Sequence, residues 1–509
     1  MLGQGGIVLP KKLPIFYSAL ILTGVNLLLR FVSTSFQVYI SGRIGAAGVG
    51  LLQLVMSVGM LAMTAGMAGI RTSTMYLTAE ELGKKRPQNV TWVLSGCFGY
   101  SIVCSGVVSL GLYLFAPQLA QHWIGDIRTV GAIRLYAGFV PICCLCGVMT
   151  GYFTAANRIG TLAVVEIAEQ LLYMAATMVI LTVWAGANPA KACESVVLGS
   201  GISCCMTLLC LVILRIRERP QAGRKIPVAR RLLKVAAPLA LADDVKAGIS
   251  TTENLMVPKR LALFPGTEDP LGVFGTVCGM VFPVLMFPAA IIFGLAELLI
   301  PELARCAAAG STQRVRYLVR RSLRITLLYG CICAGIEFLI ARELCLTLYK
   351  SEDAGSFLRL YALLVPMLYC DAITDAMTKG LGQQKACVRY NILTSAMDVA
   401  FLYVLLPRYG MVGYFASFLV THLINFVLSL RRLIKIAGNV MELRTPVLML
   451  LCTVLSVCAA AFAGNPILRC VFFLCIMPCL LFICKALGKE DILWLKGLVC
   501  GNKSEKSDS

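Results

Sequence analysis

Arg215-Ile-Arg-Glu-Arg-Pro-Gln-Ala-Gly-Arg-Lys-Ile-Pro-Val-Ala-Arg-Arg-Leu-Leu-Lys234 carries eight basic residues and one acid in twenty positions, the densest polar interval in the chain. Before it and after it the sequence repeats one pattern: apolar runs of roughly 20 to 28 residues separated by polar turns, each long enough to cross the ~30 Å hydrocarbon layer as a helix. The interval therefore reads as a charged strap between two membrane halves. It runs directly into an apolar segment, Leu233 to Val257, that holds Asp243, Asp244, Lys246 and Glu253.

Composition excludes a soluble globular protein. Only 14% of the 509 residues are charged and 58% are apolar, whereas soluble domains average ~25% charged. Fourteen spans are predicted: 14–40, 46–76, 90–115, 131–155, 160–185, 193–214, 233–257, 271–299, 318–341, 355–378, 386–407, 410–430, 445–463 and 466–486. The first lacks a cleavage site and reads as a retained span. Most Lys and Arg fall on one side if the N-terminus is cytoplasmic, as the positive-inside tendency requires. The net charge of +20 is thus a topology signal rather than a nucleic-acid footprint. A multi-pass protein of the cell membrane with both termini in the cytoplasm is expected.

The halves repeat. Arg134-Leu-Tyr-Ala-Gly-Phe-Val-Pro141 and Arg359-Leu-Tyr-Ala-Leu-Leu-Val-Pro366 agree at six of eight positions, and the same spacing sets Gly50 on Gly275. Six spans is an even number, so the repeats run parallel. The predicted fold is an all-α polytopic membrane protein. Its parts are an N-lobe (1–214), a basic loop (215–232), a C-lobe (233–435), two further helices (445–486) and a cytoplasmic tail (487–509).

An ion inside a span is expensive and marks a candidate site. Arg30 sits midway along the first span, facing a cavity anion or pairing with an acid on another helix. Arg71 follows the glycine-rich Gly59, Gly66 and Gly69 in the second. Asp243 and Lys246 are three apart and either neutralise each other or, with Asp244 and Glu253, form a cation or proton site or cavity wall. Asp371 and Asp375 share a helix face four residues apart, where two like charges favour a bound Na⁺ or H⁺ or a watery vestibule. Glu166, Glu169, Glu337 and Asp398 are further acids in spans, weighed more as structural than as functional.

The inventory for an enzyme is poor. His122 and His422 are the two histidines, neither beside a nucleophile or ligand set, and there is no phosphate-binding glycine loop. The 23 cysteines lie mostly in apolar runs and read as packing residues, Cys143 and Cys146 included. No cofactor is expected beyond Na⁺ or H⁺ coupling.

Ser41-Gly-Arg-Ile-Gly-Ala-Ala-Gly-Val-Gly-Leu-Leu-Gln53, Ala65-Gly-Met-Ala-Gly-Ile-Arg-Thr-Ser73, Met256-Val-Pro-Lys-Arg-Leu261 and Ile300-Pro-Glu-Leu-Ala304 resemble the stage V sporulation protein B family. That family lies within the multidrug/oligosaccharidyl-lipid/polysaccharide (MOP) exporter superfamily. The resemblance implies two six-helix lobes in a MATE/MurJ-like V that alternate in access. It implies as substrate an undecaprenyl-diphosphate-linked precursor, flipped outward for spore cortex. Arg30, Arg43 and Arg71 suit a diphosphate. Membrane lipid and a cell-wall polymerase are the implied partners of a monomer. Arg71 stands where the family often has a small residue or proline, and the run from Asp243 to Lys246 is unusually charged. A Na⁺- or H⁺-coupled small-molecule antiporter and a non-transporting scaffold of the wall machinery remain the alternatives.

Overall fold

A computed structural model describes residues 15–185, 188–218, 227–438 and 444–484. The middle of the strap, 219–226, and the predicted tail, 487–509, lie outside the described residues. Every regular element among those described is helical. In chain order the main ones are α1 (Ile15–Met67), α2 (Ile70–Gly83), α3 (Val90–Leu114), α4 (Val130–Ala155), α5 (Ile159–Ile180), α6 (Pro189–Arg217), α7 (Ala229–Leu261), α8 (Pro270–Gly275), α9 (Ala289–Ala308), α10 (Thr312–Tyr349), α11 (Glu352–Tyr361), α12 (Val365–Gly380), α13 (Gln384–Ala437), α14 (Arg444–Ala460) and α15 (Pro466–Ile483).

Among the described residues nine helices are long and apolar enough to cross a membrane, ten if one bent pair counts as a span. The fourteen predicted spans differ from this count for two physical reasons. α1 and α13 each join two predicted spans through a turning glycine, Gly45 (φ 69°) and Gly410 (φ 57°), a backbone state open mainly to glycine. α7 is too charged and α14 too short, at 17 residues, to pass on composition and length.

Two predicted spans are corrected. The run 46–76 is broken at Ala68 and Gly69, both at positive φ, so that α2 starts afresh at Ile70. A Cβ on Gly69 would lie 2.9 Å from the Ala236 carbonyl. The run 271–299 is broken at Met286–Pro288, where the helices bend by 61°. Pro366 also departs from its repeat partner: Pro141 sits within α4, whereas Pro366 follows the 3-10 turn Ala362–Leu364.

The chain divides into two compact units. One comprises residues 35–280 and 395–417. Its core packs Ile70, Leu77, Val93, Cys97, Met149, Phe153, Leu211 and Leu232 from α2, α3, α4, α6 and α7. The other comprises 1–34, 281–394 and 418–509, and its core joins Leu327, Leu339, Met449, Phe473 and Met477 from α10, α14 and α15. Lipid tails are as apolar as leucine, so close packing of small residues holds such helices together.

Glycines mark that packing, and they carry the repeat. In the first unit a Cβ on Gly50 would lie 2.3 Å from the Leu271 carbonyl, and one on Gly275 2.0 Å from the Ala46 carbonyl. Each glycine thus meets the carbonyl four residues before the other, the reciprocity of a local two-fold. Gly151 also presses on the Arg71 carbonyl, at 2.4 Å from its would-be Cβ. In the second unit Gly380 presses in the same way on the Ile300 carbonyl, at 2.9 Å.

Candidate functional site

The break between α1 and α2 opens onto a cavity of about 790 Å³ lined by α1, α2 and α7. One wall is apolar. Met56, Met60, Met63 and Met67 recur at helical spacing along the end of α1 and all line it, a flexible, polarizable surface that adapts to irregular apolar shapes. The other wall is polar: Arg71 and Thr72 open α2, and Asp243, Lys246, Ser250, Thr251 and Asn254 project from α7. Thr251 donates to the Ser57 carbonyl (3.1 Å) and Asn254 to the Ser57 hydroxyl (3.0 Å), fixing α7 on α1.

The electrostatics of this cavity are positive. Arg71 and Lys246 have no ion-pair partner among the described residues. In particular Asp243 and Lys246 do not pair with each other, although their spacing allows it. Gly69, the N-cap of α2, offers no side-chain cap, so the first N–H groups of a 14-residue helix add a partial positive charge beside Arg71. Asp244 does not line the cavity, and its Oδ1 is buried without a donor among the described residues.

Further along α7, Glu253 shares a hydrogen bond with Asp398 of α13. Asp398 also accepts from the Ser417 hydroxyl at 2.5 Å.

Asp371 and Asp375, on α12, are held by polar groups of α13. Asp371 is buried, accepts from Asn425 Nδ2 at 2.8 Å and lies 2.8 Å from His422 Nδ1. Asp375 accepts from Asn391 Nδ2 (2.9 Å) and the Ser429 hydroxyl (3.3 Å). His422, Asn425 and Ser429 lie three and four residues apart on one face of α13. That polar stripe is a readable signal the motif search passed over, because it looked for nucleophiles and metal ligands. No cluster of three or more His, Cys, Asp or Glu fit to hold a metal exists among the described residues.

Arg30 is elsewhere. It is half-buried, and its guanidinium lies 3.5 Å from the Met286 carbonyl. At the same break Tyr369 donates to the Leu285 carbonyl (3.2 Å) and Tyr329 to the Pro288 carbonyl (2.9 Å). Three side chains thus converge on carbonyls around the break, of which the Pro288 carbonyl also accepts the Ile291 N–H (3.3 Å). Arg43 is exposed, its guanidinium 5.6 Å from the Tyr39 ring centre. The ends of the strap are pinned. Arg215 donates to Glu218 (2.8 Å) and to the Tyr152 hydroxyl (2.9 Å), and Arg231 donates to Glu80 (2.8 Å) and Glu81 (2.9 Å) of α2.

Comparison with known proteins agrees with this architecture. The MatE family profile matches residues 23–187. Stage V sporulation protein B of Bacillus subtilis (strain 168) is 24% identical over 410 residues, covering 77% of this chain and 78% of that protein. The profile spans the first part of the chain, and both matches stand as similarities to those proteins. Sporulation protein YkvU of the same bacterium is 21% identical over 284 residues, 53% of this chain and 62% of that one. Among solved structures of the MOP fold, an inward closed lipid II flippase MurJ matches with a TM-score of 0.69 at 11% identity, covering 93% of this chain and all of that one. An inward-facing multidrug resistance MATE transporter of the MOP superfamily matches with a TM-score of 0.63 at 15% identity over 82% and 96% of the two chains.

Proposed function

We propose that this protein is a membrane transporter of the MOP superfamily and moves an undecaprenyl-diphosphate-linked peptidoglycan or polysaccharide precursor across the cytoplasmic membrane, by alternating access of its two lobes, in building the spore cortex. The observation that carries the reading is the cavity at the head of α2. It sets Arg71, Lys246 and uncapped helix N–H groups opposite a wall of four methionines. Phosphate suits such N–H groups and cations, and a thioether wall suits the sugar faces and first isoprene units that follow. Similarity to a protein named for sporulation and to a fold neighbour named a lipid II flippase supports the same substrate class. Arg71 and Lys246 hold the diphosphate in this reading, Arg30 shapes the broken span, and Arg43 at the surface is a secondary contact. The chain works as a monomer beside a cell-wall polymerase, with both termini in the cytoplasm.

A second reading has its own observation. The Asp371–His422–Asn425 cluster and the Glu253–Asp398 pair are buried polar sites suited to H⁺ or Na⁺. They serve either to drive the flippase or to couple a small-molecule antiporter.

Binding tests the choice. Purified protein is titrated with undecaprenyl diphosphate and, separately, with uncharged undecaprenol. Each of Arg71→Ala and Lys246→Ala weakens diphosphate binding about tenfold, the loss of one charge-assisted contact of about 1.4 kcal/mol, and leaves undecaprenol binding unchanged. Equal binding by wild type and both variants overturns the assignment.

A further inference from the structure

One buried acid plays no part in the reading above. Glu337 of α10 is 6% exposed, and neither carboxyl oxygen has a hydrogen-bond donor among the described residues. An ionised carboxylate in such a place costs several kcal/mol. A methionine of similar volume there would cost nothing of the kind, so packing alone does not account for a carboxyl.

We propose that Glu337 is a proton-binding site, and that its ionisation draws the Tyr329 or Tyr369 hydroxyl away from the break at Met286–Pro288. Tyr329, Cys333 and Glu337 follow one another at four-residue steps and share a face of α10. Tyr369 of α12 stacks on Tyr329, ring centres 6.0 Å apart and planes at 22°. Glu337 lies about two helical turns from Tyr329 along that face of α10. Each phenol has one hydrogen to donate, and each now gives it to a carbonyl of the break, Pro288 for Tyr329 and Leu285 for Tyr369.

The exchange follows from that count. A protonated Glu337 brings its own hydrogen and leaves both tyrosines on the carbonyls. An ionised Glu337 has given its proton to water and must recruit a donor, so a tyrosine leaves the break: the Leu285 carbonyl then loses its side-chain donor, or the Pro288 carbonyl keeps only the Ile291 N–H. The broken span then loosens or re-forms.

Competing groups on the surrounding helices are engaged elsewhere. Arg30 of α1 reaches the Met286 carbonyl. Arg359 of α11 approaches the Phe338 carbonyl and ring. Arg342 of α10 pairs with Glu352, Arg469 of α15 with Glu343, and Glu302 of α9 with Arg305 and Arg314. Glu297 of α9 is exposed, and Asp371 of α12 is held by His422 and Asn425. The thiols of Cys331, Cys333 and Cys370 are the other titratable groups at hand. The proposal is independent of which substrate the protein carries.

The full chain in lipid nanodiscs is followed against pH by two readouts. One is the infrared carbonyl stretch of a protonated carboxylic acid in apolar surroundings; the other is amide hydrogen exchange in residues 282–292. In wild type the band is lost as pH rises, and exchange at the break quickens over the same range. Glu337→Gln, a near-isostere of the protonated acid, lacks that band and exchanges slowly at every pH. The Tyr329→Phe, Tyr369→Phe double variant keeps the band and exchanges fast throughout. Should Glu337→Gln fail to fold, Glu337→Met serves for both readouts. A band unchanged by the Glu337 substitution, or exchange that follows pH equally in wild type and variant, overturns the proposal.

Discussion

Arg30 and Arg71 both interrupt apolar sequence, yet the structure gives them different surroundings. Arg71 opens a helix beside a cavity, with no ion-pair partner among the described residues, although Asp243 lines the same cavity. Arg30 lies against a carbonyl at a broken helix. Arg30→Ala is therefore expected to lower the melting midpoint by the equivalent of about 1 kcal/mol, one weak hydrogen bond, and to leave diphosphate affinity within about twofold. Calorimetry and the binding titration check the two parts separately. Asp371→Asn has a different signature. It removes the ionisable carboxyl facing His422 and is expected to abolish any dependence of transport on a Na⁺ or H⁺ gradient while transport down the substrate gradient persists. A flux assay with and without the gradients reads the difference, and coupling that survives in the variant refutes a role for Asp371. Both carboxylates were visible in the sequence as mid-span charges. His422 was not, because a single histidine on an apolar helix gains meaning only from the Asp371 it meets 51 positions away in sequence.

At the scale of elements, glycine decides both the breaks and the close contacts. Gly69 has a φ of 70° and faces the Ala236 carbonyl. Gly69→Ala is expected to destabilise by about 1–2 kcal/mol from the left-handed backbone alone, read as a lowered melting midpoint. It also displaces the start of α2 and so weakens diphosphate binding. Gly50→Ala places a methyl on the Leu271 carbonyl and is expected to cost more, about 2–3 kcal/mol, since backbone cannot yield as a side chain does. Calorimetry ranking Gly50→Ala below Gly69→Ala in cost would contradict the contact geometry. The spans ending at Gly45 and Gly410 were legible, because glycine and charge punctuate the sequence there. The breaks at Ala68–Gly69 and Met286–Pro288 were not. Their apolar runs continue without interruption, and what stabilises each break comes from elsewhere in the chain: the α7 backbone for one, Arg30, Tyr329 and Tyr369 for the other. The repeat rests on the matching of Arg134–Pro141 with Arg359–Pro366 in the sequence; Gly50 and Gly275, set in register by the same offset, lie in close approach to each other's helices.

At the scale of the molecule, the proposed reading as a membrane transporter accounts for the low charge and the basic strap together. The central claim beyond that class is that the cavity at the head of α2 receives the diphosphate of a lipid-linked glycan. A transporter must bind its cargo differently in its two states to move it, and the removal of a cation that holds the head group should slow transport and not merely shift a binding curve. The most direct test reconstitutes the full chain in liposomes and follows translocation of a fluorescent undecaprenyl-diphosphate-linked muropeptide. The account predicts translocation by wild type that falls at least about tenfold in Arg71→Ala and Lys246→Ala, each the loss of about 1.4 kcal/mol of head-group contact, with Arg43→Ala close to wild type. Undiminished translocation in the Arg71→Ala, Lys246→Ala double variant, or none by wild type alongside ion-driven efflux of a small cationic dye, would contradict it.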